Sequence, residues 1–287
     1  MNATAIAPPM SVAKRLCKQF FRSLLPLAVR KRLAIGLQRL TWVDGQRRHW
    51  WSVELVRDLA DEDVDAFHEF LWTHHLGYAV TYEIADRFGT EHMKLSRRLF
   101  FTDLRQALSD RGIIAERDVR SVFEVGCSLG YQLRHMETDL FPRADRLEGV
   151  DIDRYAIEAG SEFLRAEKSK IALHHGDMRN LERILGSTTF DVLACAGVLM
   201  YLTQEAATEV VGVMLRRTKF LAIAGLAHPS VDNAQLARSE TRPSDSTFVH
   251  NIDSMVAVQG GRVVARRWEG GRDFDGNTVY FVFAEHA

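Results

Sequence analysis

Four residues at every second position, Glu124, Gly126, Ser128 and Gly130, follow or interrupt an apolar run that begins at Ser121. Such a run reads as a strand entering a tight turn with a helix behind it. Gly126 can take a backbone conformation denied to other residues, and Gly130 lets a ligand or strand approach the start of the helix closely. Ligands bind at the carboxyl ends of parallel strands, where strand order reverses, so this turn is a candidate site for a nucleotide-like molecule. A dinucleotide fingerprint anchored at Gly126 would need glycines at 128 and 131, but the chain has Ser128 and Tyr131. Asp151 closes the next apolar run, Gly149-Val150-Asp151-Ile152-Asp153. A carboxylate there can accept two hydrogen bonds from ribose hydroxyls, worth roughly 1.5–3 kcal/mol each. NAD sites use an acid in the same way, so Asp151 alone does not separate the two classes. Asp153 reads as the cap of the following helix.

Candidates for moving a proton come later in the chain. His228 and His250 bracket a long polar stretch, 228–250, with Asn251 and Asp253 beside it. A loop of that length without evident structure suggests a lid over a substrate rather than a passive link. The two histidines read either as general bases or as ordinary exposed or capping residues. No spacing of His, Cys, Asp or Glu matches a metal site; the cluster His68, Glu69, His74, His75, Tyr78 and Tyr82 has none that zinc would need.

The elements that must hold these residues alternate. Strands are expected at 121–125, 147–151, 170–174, 190–196 and 219–225, with helices near 129–139, 153–166, 178–185 and 203–216 between them. Parallel strands need such crossovers, so the sheet should be parallel with helices on both faces. After a helix near 249–258, strands Arg262–Trp268 and Thr278–Ala284 are separated only by Gly270-Gly271 and Asp275-Gly276-Asn277, which predicts an antiparallel pair. The fold class expected is therefore α/β, a seven-stranded doubly wound, mostly parallel sheet with an antiparallel last strand and an N-terminal helical extension.

That extension, residues 1–117, divides into a basic arm, 11–48, and a helical cap, 61–112, with the ligand-binding domain over 118–287. Residues 1–50 carry ten Lys or Arg against the single acid Asp44, a net +9, which leaves −10 for the remainder of a chain whose total is −1. An amphipathic basic helix over 11–25, stopped by Pro26, and a second over 27–41 either pack on the domain or lie on an anionic membrane face. No apolar run approaches the ~20 residues of a membrane span. The three cysteines, Cys17, Cys127 and Cys195, form no framework and fit a reducing cytoplasm. No secretory signal is expected.

The pattern acid-x-Gly-x-x-x-Gly at Glu124, Gly126 and Gly130, followed by Asp151, by His175-Gly176-Asp177-Met178 and by Phe190–Leu202, resembles class I S-adenosylmethionine-dependent methyltransferases over roughly 60% of the chain. The family's middle glycine is Ser128 here. The resemblance implies S-adenosyl-L-methionine as cofactor. It implies that Glu124 orders the loop and reaches the methionine ammonium, that Asp151 bonds the ribose, and that Ile152 belongs to the cofactor site. Asp177 would bond the adenine amino group while the Met178 amide meets a ring nitrogen. Ala196 and Gly197 would pass the cofactor, and Tyr201 would face its rim as a candidate catalytic residue beside His228 and His250. The final strand would insert antiparallel beside the fifth. The activity implied is methyl transfer to a small molecule or glycan, O-methylation favoured. N-methylation, or a silent cofactor-binding or membrane-associated partner, are the alternatives. No basic-aromatic platform for nucleic acid is evident.

Overall fold

In the computed structural model, which describes residues 24–38, 40, 45–77, 88, 93–274 and 277–287, the chain divides its apolar residues between a small helical core and a large sheet. The helical part contains α1 (Leu27–Leu37), α2 (Gly45–Val56), α3 (Leu59–Glu62) and α4 (Val64–Thr73). Ala34, Val53, Val56, Leu59, Phe67, Phe70, Leu71 and Leu76 form its core. Asp63 starts α4 by accepting the Ala66 amide on its carboxylate, which satisfies one of the first-turn donors. The basic helix expected over 11–25 lies outside the described residues but for its last two, and Cys17, Tyr78 and Tyr82 lie outside them as well.

Arg30 changes how the basic arm reads. It is buried, with Nη1 and Nη2 on the two carboxylate oxygens of Asp58 (2.6 and 2.7 Å), Nη1 also on the Leu55 carbonyl and Nε on the Leu25 carbonyl. This charge is spent inside the cap, where a planar guanidinium can satisfy a carboxylate and two carbonyls at once.

α5 (Leu95–Ser109), grouped with the cap in the sequence reading, lies instead against the sheet: Phe100, Phe101, Leu104 and Leu108 join the core containing Phe281 and Phe283. Phe100 stacks on Phe283 at 5.7 Å. Its apolar stripe covers a sheet face that would otherwise meet water. The helix stops where Gly112, at φ +75°, bonds the Ser109 carbonyl and Ile113 bonds that of Leu108. A short turn, α6 (Ala115–Asp118), leads into the sheet.

The sheet consists of β1 (Ser121–Val125), β2 (Arg146–Asp151), β3 (Ile171–His175), β4 (Phe190–Ala196), β5 (Thr218–Gly225), β8 (Gly261–Phe274) and β9 (Asn277–His286), in the order β3-β2-β1-β4-β5-β9-β8. β1 to β5 pair in parallel, and β9 is antiparallel to both β5 and β8. Order therefore reverses at β1 and β4, and the cleft between them opens at their carboxyl ends. Gly270 and Gly271 do not end β8. They lie within it, where the register to β9 shifts between Glu269 and Phe274, so the glycines bend the strand instead of turning it.

Alternation divides the core in two. Val122, Val192, Phe220 and Phe281 face α5, whereas Phe123, Leu193, Leu221 and Val282 face the other layer. The crossovers are α7 (Tyr131–His135), α8 (Arg154–Ala166), α9 (Leu181–Leu185) and α10 (Gln204–Arg216), and α11 (Ile252–Val258) precedes β8. The stretch 228–250 is not a plain loop. It folds into a single turn, Asn233–Gln235, and a two-stranded ribbon of β6 (Glu240–Thr241) and β7 (Phe248–Val249).

Candidate functional site

A cavity of about 320 Å³ lies at the carboxyl edge of the sheet, roofed by α4. Its floor is the turn after β1. The Gly126 amide donates to the Val150 carbonyl (2.8 Å), hooking the turn onto β2. Gly126 has φ +75°, and a Cβ there would fall 2.1 Å from Val198 Cγ2, so backbone strain and space both demand glycine. Ser128 adopts φ +51°, the left-handed region in which glycine is cheapest; a side chain costs about 1 kcal/mol there. Its amide donates to Asp151 Oδ2 (2.8 Å), and the Asp153 amide donates to Asp151 Oδ1 (2.9 Å). Two backbone donors thus fix the Asp151 carboxylate at the cavity wall, although burial still pushes its pKa upward.

Glu124 lies behind this floor, on β1, paired to Gly149 on one side and Ala194 on the other. It is 1% exposed, and burial pushes its carboxyl up to about 8; Arg97 opposes the rise and Asp151 adds to it. Oε1 accepts a hydrogen bond from Gln132 Nε2 (2.9 Å). Glu124 Oε2 and Gln132 Oε1 are both buried without a donor among the described residues. Such a pair is costly unless a ligand supplies the missing hydrogens. Arg97, near the start of α5, holds its guanidinium 5.3 Å from the centre of the Tyr131 ring, and its buried Nε has no partner among the described residues.

Of the remaining expected cofactor residues, Ile152, Asp177, Met178 and Ala196 line the same space, with Gly197 at φ +70°, whereas Gly130, at φ +84°, backs onto Leu164 and Leu173 instead of the cavity. Asp177 is already engaged. Its carboxylate accepts from the Arg179 amide (2.8 Å) and Arg179 Nε (2.9 Å).

The roof comes from α4. Asp65, His68, Glu69 and Trp72 all line the cavity, and their spacing i, i+3, i+4, i+7 is one face of a helix. The opposite face carries Phe67, Phe70 and Leu71 into the cap core. That polar and aromatic stripe is a signal the sequence carried; reading the segment as a crowd of His and Tyr obscured it. Tyr201 meets this face, its ring centre 5.2 Å from His68 and 4.8 Å from Trp72.

The cap is fastened across four strand ends. His75 Nδ1 meets Asp153 Oδ2 after β2, and Arg179 Nη2 donates to Glu69 (2.7 Å) after β3. The Thr203 amide donates to Asp65 (3.1 Å) after β4. His68 Nε2 donates to the Ser246 carbonyl (2.9 Å) in the ribbon segment after β5.

His228 and His250, expected as bases, are not brought to this cavity. His228 Nδ1 accepts the Ser230 and Val231 amides (3.2 and 3.1 Å), and its Nε2 lies 3.3 Å from Glu240. His250 is 3% exposed, with Nε2 on the Leu199 carbonyl (3.0 Å) and Nδ1 against Ser239 Oγ (2.7 Å). Each closes a turn or braces the ribbon, because a polar segment folded against a core must satisfy its own backbone. Of the three residues expected to be catalytic, only Tyr201 reaches the cavity.

The family described as "Methyltransferase domain" matches residues 122–219, from β1 to the start of β5. Among solved structures, three share the fold at a TM-score of 0.50. An S-adenosylmethionine-dependent methyltransferase from Clostridium acetobutylicum is 8% identical, covering 69% of this chain and 95% of its own. The magnesium protoporphyrin IX methyltransferase of Synechocystis, with bound S-adenosylhomocysteine, is 13% identical over 81% of this chain and 99% of its own. An amino pentose methyltransferase from Micromonospora echinaspora, bound to S-adenosylmethionine and involved in calicheamicin biosynthesis, is 16% identical over 72% and 98%. A search of the curated proteins finds no match.

Proposed function

Because residues 122–219 match the methyltransferase-domain family, we propose that the chain uses S-adenosylmethionine to methylate a hydroxyl group on a small molecule or glycan. One observation carries the cofactor half of this reading: two buried acceptors without a donor among the described residues, Glu124 Oε2 and Gln132 Oε1, beside each other. An amino-acid ammonium is what they lack. Its arrival would draw Glu124 into the charged form, and Arg97 is disposed to take the adjoining carboxylate. Asp151 holds its remaining acceptor capacity for ribose hydroxyls, with Ile152 against the sugar and Asp177 and Met178 at the base. The bound cofactor supplies an electrophilic methyl group on sulfur. The protein's task is to align an acceptor behind it and exclude water.

In this reading 118–287, joined by Arg97 of α5, holds the cofactor, and the helical cap before it shapes the acceptor side. The aromatic edge made by Trp72 and Tyr201 suits an acceptor with a flat apolar face, such as a sugar ring. Both carboxylates of the roof are occupied, Glu69 by Arg179 and Asp65 by Thr203, which favours a neutral hydroxyl over a charged amine as acceptor. Tritiated-methyl transfer into a fractionated cell extract tests the reading: label in a base-stable ether of a small molecule supports it. Label on nitrogen replaces the acceptor class. S-adenosylmethionine binding with no transfer to any fraction favours a silent cofactor-binding protein, and saturable NAD binding with none for S-adenosylhomocysteine overturns the reading.

The described part of the arm supports a second proposal, peripheral contact with an anionic membrane face. Leu24, Val29 and Leu33 are 58%, 39% and 46% exposed, with Arg32 exposed among them. No described helix is long and apolar enough to cross a membrane. Flotation of the full chain with anionic vesicles, lost in Val29→Ser/Leu33→Ser, is the expected result; unchanged flotation rejects these residues as the contact.

A further inference from the structure

We propose that His68, on the cap, is the general base that takes the proton of the acceptor hydroxyl. The inference rests on the methyl-transfer reading above. His68 is 4% exposed and lines the cavity beside Tyr201. Its Nε2 faces the Ser246 carbonyl at 2.9 Å. A carbonyl only accepts, so Nε2 carries the hydrogen and Nδ1 keeps its lone pair. That Nδ1 is buried and has no hydrogen-bond partner among the described residues. The ribbon thus does for His68 what an orienting group does in any acid–base site: it sets the tautomer and holds the ring.

The charged groups around it do not protonate it. Burial, the largest influence, lowers its pKa and Arg57 lowers it further, while the Ser246 bond, Asp245 and Asp65 raise it without prevailing. The ring is therefore neutral near pH 7, as a base must be. In the step, the acceptor oxygen bonds to the methyl carbon as the carbon–sulfur bond breaks, and its electron pair remains on sulfur to give the thioether. The hydroxyl proton passes to Nδ1, and the imidazolium then releases it to solvent. The sequence pointed to His228 and His250 for this role; His68 was one of a crowd, and its distinction lies in a contact 178 residues away.

Nitrogen-15 spectra of the full chain with labelled histidine, His68 identified by its loss in His68→Gln, should show a protonated Nε2 and a bare Nδ1 at pH 7. A ring protonated on both nitrogens, or on Nδ1 alone, overturns the proposal. Glutamine retains a donor toward Ser246 but has no base at the Nδ1 position, so it should keep S-adenosylhomocysteine affinity within about twofold. Tritiated-methyl transfer to extract should fall by about 100-fold or more, and the fall in wild-type rate as pH drops through the His68 pKa should disappear. Full transfer by His68→Gln with an unaltered pH profile rejects His68 as the base. Absence of S-adenosylhomocysteine binding in the wild type would instead reject the cofactor reading. His68→Asn, which moves the amide to the Nδ1 position, separates loss of the base from loss of the Ser246 tie.

Discussion

The floor and the roof of the cavity are built by opposite strategies. On the floor, the functional residues sit at or just past the carboxyl ends of β1 and β2, and their partners are close in sequence: Ser128 to Asp151, Asp153 to Asp151, Gln132 to Glu124. On the roof, one short helix presents four side chains whose partners stand far along the chain, His68 with Ser246 and Asp65 with Thr203. The floor's geometry is backbone geometry and tolerates little change. The roof's geometry is a set of side-chain contacts that can be altered singly. Under the proposed function, cofactor binding belongs to the fixed half and acceptor choice to the adjustable half.

The largest effect should come from the floor. Gly126→Arg places a side chain where even a Cβ meets Val198 at 2.1 Å, and calorimetry should detect no S-adenosylhomocysteine binding. Asp151→Ala should cost at least about 100-fold in the same measurement, from two lost contacts of about 1.5–3 kcal/mol each. Retained affinity in both would dissolve the contrast. Arg30→Ala tests the roof alone. It removes the Arg30 guanidinium from Asp58 and from the Leu25 and Leu55 carbonyls and should destabilise the cap by about 3 kcal/mol. Hydrogen exchange should accelerate across 27–73 while the amides of β1 and β4 stay protected. Uniform acceleration over the whole chain would mean that the two halves fold as one.

A pH experiment sharpens the floor's side. Glu124, pushed up to about 8, is protonated in the ligand-free protein at pH 7 and ionised in the unfolded chain. Folding therefore takes up a proton, and this group's penalty grows from about pH 4.5 to about 8. Glu124→Gln should accordingly raise the Tm of the ligand-free protein at pH 7, with the gain shrinking toward pH 4.5. Ligand binding should expel that proton, so wild-type affinity for S-adenosylhomocysteine should rise by up to about tenfold per pH unit toward pH 8. A flat profile would place the ammonium elsewhere. The smallest effect belongs to a single roof tie: Glu69→Ala removes a half-exposed ion pair and should shift stability by less than about 1 kcal/mol in chemical unfolding.

What the sequence disclosed follows the same division. The parallel strands, the antiparallel β9 and the turns after β1, β2 and β3 are legible because each is written in contiguous residues with a fixed period or spacing. Ser128 was legible as a departure, and its left-handed backbone shows how a serine occupies the glycine's place. The base proposed above was not legible. His228 and His250 looked suitable because of their position after β5, yet their ring nitrogens serve the ribbon and its turns. The placement of α5 on the sheet was also hidden, since an amphipathic stripe states that a face is buried and not against what.

The four cap ties meet four separate strand-end loops, and each is weak by itself. Ties of this kind reinforce one another, because while three hold, the fourth partner stays within reach at high effective concentration. Losing one costs little, and losing several together releases the roof as a unit. The cap is thus multivalently latched: a molecule as large as the cavity could enter by disengaging neighbouring ties in turn, without unfolding any element of the sheet.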